Sequence, residues 1–435
     1  MTLLADLNLD KRLIKGLDQL GFAEATAVQA RAIPHALAGR DLMIAAKTGS
    51  GKTGAFVLPM LNRLLAVDAK EKGTRALILL PTRELAVQTE RAFTRFAAFT
   101  HIKCGLVIGG AAFKYQIAAM RRNPEVIIAT PGRLVEHIGK GSAYLSDLEM
   151  LVLDEADRML DMGFSEDMNI IAGASGADRQ SLLFSATLEH RAMDRIRGIL
   201  KDPVSIVVDH HREGHSHITQ SKVLADDAAH KERLVRALIK VEAATRSIVF
   251  CNTREQCQRL GTTLKRKDVS AAFIHGEIPQ SERKQVMSRF RDGKVGVLVA
   301  TDVAARGLDI ADVDLVINFT VAQSGDDHVH RVGRTGRAGK EGKAITLVDS
   351  TEWNLLAGIE RYLKLRLEIA QVDGMVAAYA GPKRVKNSGK AAGPKKHKRT
   401  KSEVKRKGKP KKHTRRVASP ARRAPTADPE PDDEN

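Results

Sequence analysis

Leu42-Met43-Ile44-Ala45, followed by Ala46-Lys47-Thr48-Gly49-Ser50-Gly51-Lys52-Thr53, is the stretch that decides the fold. Four apolar residues running into a glycine-bearing polar turn read as a short strand buried on both faces. The eight residues after it fit a phosphate-loop pattern, with Ala46 in the first glycine's place. Gly49 and Gly51, flanked by Thr48 and Ser50, let backbone N–H groups close around phosphate oxygens. Lys52 reaches the β- and γ-phosphates, and Thr53 offers its hydroxyl to Mg²⁺. An ordinary glycine-rich turn leaves Lys52-Thr53 unexplained, so the junction reads as a nucleotide site.

Working outward, similar apolar runs recur between longer segments of helical period. They are Ala76–Leu80, Gly105–Ile108, Val126–Ala129, Met150–Leu153 and Ser181–Phe184 in the first half. In the second half they are Ser247–Phe250, Ala271–Ile274, Val295–Val299, Leu315–Ile317 and Ala344–Val348. This alternation predicts an α/β chain with parallel sheets covered by helices on both faces. In such sheets ligands bind beyond the carboxyl ends of the strands. Pro81-Thr82-Arg83-Glu84, Thr130-Pro131-Gly132-Arg133, Asp154-Glu155-Ala156-Asp157 and Ser185-Ala186-Thr187 follow four of the first-half runs. Each alone could be a helix cap or a turn, but together with the phosphate loop they predict one functional edge.

At that edge Asp154 is expected to hold Mg²⁺ and Glu155 to polarise the water that attacks the γ-phosphate. The second half has no phosphate loop. It carries His330-Arg331-Val332-Gly333-Arg334-Thr335-Gly336-Arg337, from which Arg334 and Arg337 are expected to reach across and stabilise charge developing on the γ-phosphate.

Composition bounds the rest. Of 435 residues, 71 are Lys or Arg and 52 Asp or Glu, a net charge of +19. The segment Gly381–Asn435 holds 19 basic and six acidic residues and no aromatic residue, leaving +6 for the remainder. A tail of that kind cannot bury enough apolar surface to order itself and is expected to be disordered, its lysine runs suited to tethering a polyanion. Cys104, Cys251 and Cys257 lack metal-site or disulfide spacing and read as reduced thiols. No run approaches the ~18 apolar residues of a membrane span, and no leader is evident, so a cytoplasmic protein is expected. The histidine-bearing stretch Asp209–His217 reads as a linker rather than a metal site. The expected organisation is a first domain over 1–207, a linker over 208–217, a second domain over 218–375 and a disordered basic tail over 376–435.

These motifs in this order, with Ala300-Thr301-Asp302-Val303-Ala304-Ala305-Arg306-Gly307-Leu308-Asp309, resemble the DEAD-box RNA helicases of superfamily 2. The resemblance spans nearly all of residues 1–375 and implies two tandem RecA-like domains, ATP as nucleotide and an RNA-stimulated ATPase. It implies that Phe22 stacks on adenine and Gln29 bonds its edges, and that Asp309 contacts the ribose. Asp157 and His330 look like the link between domains, and Ser185 and Thr187 like the couple between hydrolysis and strand separation. The family's RNA contacts map onto Pro81, Thr82, Arg83, Gly109, Gly110, Thr130, Arg133, Gln280, Arg283, Thr301, Arg306 and Gly307, with Asn252-Thr253 and His275-Gly276 beside them. Backbone, hydroxyl and arginine groups of this kind suit phosphates and 2′-hydroxyls, so sequence-independent recognition of RNA is expected.

Three positions depart from the family pattern: Ala25 replaces a usual proline, Leu4 an upstream aromatic, and His328 a common tyrosine. Arg246–Phe250, Gln323–Asp327 and the lysine-rich tail look like the bacterial SrmB-type branch, which acts in large ribosomal subunit assembly. That resemblance implies structured ribosomal RNA, ribosomal-assembly proteins and a monomeric chain as expectations. An ATP-gated RNA clamp shares every one of these motifs and stands as the alternative, and a DNA-directed motor fits them poorly.

Overall fold

The computed structural model describes residues 2–46, 49–67, 73–188, 192–208, 217–305, 313–336 and 341–391. Most of the expected linker, 209–216, and the tail from 392 onward lie outside them. Two lobes are present, each built on a seven-stranded parallel sheet. The first contains β1 (Leu42–Ala45), β2 (Ala76–Leu79), β3 (Cys104–Val107), β4 (Val126–Ala129), β5 (Met150–Leu153), β6 (Gln180–Ser185) and β7 (Val204–Val207). The second contains β8 (Ile218–Leu224), β9 (Ser247–Cys251), β10 (Ala271–Ile274), β11 (Val297–Thr301), β12 (Leu315–Asn318), β13 (Gly342–Val348) and β14 (Glu368–Ile369).

The strand orders are β3-β4-β2-β5-β6-β1-β7 and β10-β11-β9-β12-β13-β8-β14, so the second lobe repeats the first position for position. This is the doubly wound, tandem RecA-like architecture expected. Side-chain alternation divides each core into two layers. In the first sheet Leu42, Ile44, Ala76, Ile78, Met150 and Val152 pack into one layer, while Met43, Leu77, Leu79, Leu151 and Leu153 pack into the other. In β9, Ile248 and Phe250 face one layer and Val249 and Cys251 the other. Strands covered on both sides must be apolar at every position, which is why they read as unbroken runs.

Three strands escape that pattern. Edge strand β7 is half-exposed, and β14 is two exposed residues at the opposite sheet's edge. Strand β8 is polar in composition although it pairs with β13 over seven residues. Its Lys222 is buried, 2.7 Å from Glu360 and over the Trp353 ring, and its Gln220 pairs with His328.

The second lobe also runs past its expected end at 375. The Ala378 and Tyr379 N–H groups donate to Asp226, Trp353 Nε1 donates to the Gly389 carbonyl at 3.0 Å, and the Ala391 N–H donates to Asn354 Oδ1. Residues 376–391 therefore form a strap over the helix Trp353–Tyr362, and the disorder expected from 376 is corrected there. The strap has enough backbone polar groups met by lobe side chains to be held, despite its basic composition.

Candidate functional site

Sheet order sorts the motifs of the first lobe into two neighbouring sets. Across the carboxyl edge, the Gly109-Gly110 turn follows β3, Thr130 follows β4 and Pro81-Thr82-Arg83 follows β2. Asp154 then follows β5, Ser185 closes β6 and the phosphate loop follows β1. Register keeps them level: Leu79 pairs with Leu153 and with Ala129, and Ala45 with Ser185. With strands ~4.8 Å apart, the expected nucleotide groups span about 10 Å and the expected RNA groups lie immediately beside them.

In the nucleotide set, Gly49 and Gly51 take left-handed φ of 83° and 92°. Gly51 caps the helix Lys52–Ala66, and a Cβ there would lie 2.6 Å from Thr26 Oγ1 and 2.9 Å from Gln29 Nε2, so no side chain fits. Gln29 Nε2 donates to the Gly51 carbonyl at 3.1 Å and Gln29 Oε1 accepts from the Thr26 N–H. The glutamine expected at adenine is thus built against the phosphate loop itself. Phe22 is 50% exposed with its ring 6.4 Å from that of Phe96, whereas Leu4 packs into a small core with Leu17, Ile33 and Leu58. Lys52 is buried with its Nζ 3.1 Å from the Ala46 carbonyl, Thr53 is half-buried on the helix's first turn, and Ser50 lies just before Gly51.

Asp154, Glu155 and Asp157 are all buried beside Lys52 and Arg158. Burial pushes the Asp154 carboxyl up to about 6 despite the attraction of Lys52, and burial likewise raises Asp157. Glu155 sits at φ 54°, ψ 48°, a strained conformation for a side-chain-bearing residue and one that concentrates at functional sites. Its carboxylate receives Arg158 Nη1 at 2.6 Å. Asp157 Oδ2 accepts from the Ala186 N–H, tying the Asp-Glu-Ala-Asp turn to the next motif, while its Oδ1 has no hydrogen-bond partner among the described residues. Ser185 Oγ donates to the Thr187 carbonyl at 2.6 Å. Three buried carboxylates against two cations, with a hydroxyl nearby, are a hard-oxygen, negatively biased set that suits Mg²⁺.

In the RNA set, Thr82 caps the helix Arg83–Phe96 and Thr253 caps Arg254–Arg266, so both have a structural task as well. Thr130 Oγ1 accepts from the Gly109 N–H, Arg133 Nη1 donates to the Ala111 carbonyl, and the Arg83 guanidinium lies against Gly109 and Gly110. A Cβ on Gly110 would come within 2.0 Å of Arg83 Nη1. Pro81 and Thr301 are buried at the ends of β2 and β11.

The second lobe meets this surface directly. Gln280 Nε2 donates to Glu84 Oε1 at 3.1 Å, and Arg283 Nη2 lies 3.2 Å from the same oxygen. A cavity of about 230 Å³ between the lobes is lined by Arg83, Gly109, Gly110, Gln280, Arg283 and Arg291, among others. Glu84 closes the stretch that follows β2, but the sequence assigns it no task. Arg331 was passed over for Arg334, yet it is the hub of its motif. It binds both oxygens of Asp302 at 2.6–2.7 Å, Asn252 Oδ1 at 2.6 Å and the Thr320 carbonyl at 2.7 Å. Arg334 is buried in the turn after the helix Gly325–Val332, which carries His330. His328 is buried with its Nε2 3.0 Å from Gln220 Oε1, and burial lowers its pKa to about 4. Thr48, Arg306, Gly307, Asp309 and Arg337 lie outside the described residues.

Residues 26–196 match the DEAD/DEAH box helicase family and residues 229–339 the helicase conserved C-terminal domain. The chain is 41% identical to the ATP-dependent RNA helicase SrmB of Escherichia coli over 375 residues, covering 86% of this chain and 84% of that one. Among solved structures, Saccharomyces cerevisiae Dbp5 bound to RNA and ADP BeF3 is 29% identical with a TM-score of 0.76, covering 86% of this chain and 96% of that one. A Dbp5 variant bound to a Gle1 variant and IP6 aligns with a TM-score of 0.67, covering 86% and 95%. No helix among the described residues is long and apolar enough to cross a membrane. The chain belongs to the DEAD-box ATP-dependent RNA helicases, similar to their SrmB members, and is an RNA helicase driven by ATP hydrolysis.

Proposed function

We propose that the two lobes close over ATP·Mg²⁺ and a single RNA strand, bend that strand out of a short duplex, and reopen after hydrolysis. The observation that carries this reading is the joint held by Glu84, Gln280 and Arg283 beside the inter-lobe cavity. It puts basic and backbone groups of both lobes on one path, next to but separate from the nucleotide groups. The stronger likeness to the RNA-bound Dbp5 arrangement supports it.

Thr53 and Asp154 would hold Mg²⁺, which when bound neutralises charge on the phosphates. Lys52 orients the β- and γ-phosphates, and Glu155 polarises the attacking water. Arg334, with Arg337, stabilises charge on the γ-phosphate from the second lobe. Phe22 and Gln29 select adenine, and Asp309 takes the ribose. Asp157, Ser185, Thr187 and His330 couple the nucleotide groups to lobe closure. The RNA is read as backbone by the contacts mapped above, without sequence preference. The similarity to SrmB supports a role in assembly of the large ribosomal subunit, with structured ribosomal RNA as substrate.

The test is Glu155→Gln. ATP and RNA binding should survive while RNA-stimulated phosphate release is abolished, and near-normal release in that variant would sink the assignment. Duplex displacement with duplex in excess over protein separates a turning-over helicase from a clamp.

A further inference from the structure

The helix Phe113–Met120 begins three residues after Gly110, and the segment from Ala111 to Asn123 contains Lys114, Arg121 and Arg122 but no carboxylate. Phe113 stacks on His137 with ring centroids 4.0 Å apart. Two cations lie over the same ring, Lys140 Nζ from the C-cap of the helix Pro131–Gly139 at 4.3 Å and Arg133 Cζ from within that helix at 5.6 Å. Cation–π contacts of this kind pin long side chains that otherwise wander, reducing the entropy lost when they meet an anion. One carboxylate enters the cluster, Glu136, 3.1 Å from Arg133 and itself more than half exposed. The next residue, Tyr115, is 69% exposed with Lys114 Nζ 5.1 Å from its ring centroid.

A single exposed aromatic means little. Here it stands on a carboxylate-free segment, beside a pinned pair of cations, and is continuous through Arg133 and Ala111 with the Gly109-Gly110 turn. Alternating cations and an open aromatic face are what single-stranded nucleic acid uses: phosphates meet the cations and an unpaired base stacks on the ring.

We propose that this face extends the RNA track outward from the inter-lobe cavity, with Tyr115 stacking a flanking unpaired base and Lys114 and Lys140 on the adjoining phosphates. The proposal rests on the RNA reading above and adds a subsite to it. All three side chains are exposed and engaged through cation–π contacts at the surface, so their removal should leave the core intact. Tyr115 and Lys114 project into solvent and Lys140 lies just beyond its helix.

The experiment measures binding of the full chain, with a non-hydrolysable ATP analogue, to labelled RNA strands of about 6 and about 16 nucleotides. Tyr115→Ala should weaken the long strand roughly five- to tenfold and leave the short one within about twofold. Lys114→Gln with Lys140→Gln should lower the slope of log affinity against log salt by about 1.4 for the long strand alone. Equal effects on both strands, or long-strand affinity within about twofold of the unaltered protein for Tyr115→Ala, overturn the subsite. Failure of the unaltered protein to bind the short strand in a nucleotide-dependent way overturns the underlying RNA track, and the subsite with it.

Discussion

Arg158 is the residue whose removal tests the electrostatics of the site most directly. It and Glu155 form an ion pair of 2.6 Å with side chains only 3% and 7% exposed, inside a cluster that already holds Asp154 and Asp157. Arg158→Met keeps the volume and apolar stem but leaves Glu155 buried without its counter-ion. Removing one partner of such a pair costs about 3–5 kcal/mol. Glu155→Gln is milder, about 1–2 kcal/mol, because the amide oxygen still accepts from Arg158 Nη1. In the double variant the methionine no longer strands a charge, so the loss should fall short of the sum by about 1–3 kcal/mol.

The two lobes have separate cores, and the chain's one tryptophan, Trp353, lies in the second. Urea unfolding followed by far-UV circular dichroism and by Trp353 fluorescence therefore reads them apart. With a slope near 3 kcal/mol/M, Arg158→Met should lower the first-lobe midpoint by about 1–2 M. The Trp353 transition should stay in place. A first-lobe shift below about 0.3 M, or full additivity in the double variant, would refute the claim that this pair balances the buried charge.

Two further outcomes follow from the same structure. Glu84→Ala removes the acceptor shared by Gln280 and Arg283, so the RNA concentration for half-maximal ATPase stimulation should rise roughly tenfold; an unchanged value would mean the joint does not contribute to closure on RNA. His328, held near 4 by burial against an ordinary 6.5, takes up a proton more readily when unfolded, so its stabilisation is present above pH 6.5 and is lost as pH falls through 4. By pH 5 the second lobe should have lost about 2 kcal/mol from this group, read by Trp353 fluorescence, and His328→Tyr should flatten that slope; an equally steep slope in the variant would remove His328 as its source.

The strands carrying the site were legible because burial on both faces leaves no polar position, and the motifs were legible because each follows such a strand. What escaped were the elements whose composition is set by a partner. β8 reads as polar because Gln220 and Lys222 point at His328, Glu360 and Trp353, none of which is near it in sequence. The strap over 376–391 reads as tail because its order comes from Asp226, Trp353 and Asn354.

The same reason hid the tasks of Glu84, Arg158 and Arg331 within motifs whose places along the chain were legible. Chemistry assigned the exposed-looking arginines to phosphate, but Arg331 spends four of its five N–H donors on its own lobe and is 1% exposed, so burial keeps it from a ligand. It holds Asn252 and Asp302 in place, and Arg334 follows in the turn beyond the helix. A motif with arginines at three positions gives one of them up to hold the frame, and spacing alone does not say which.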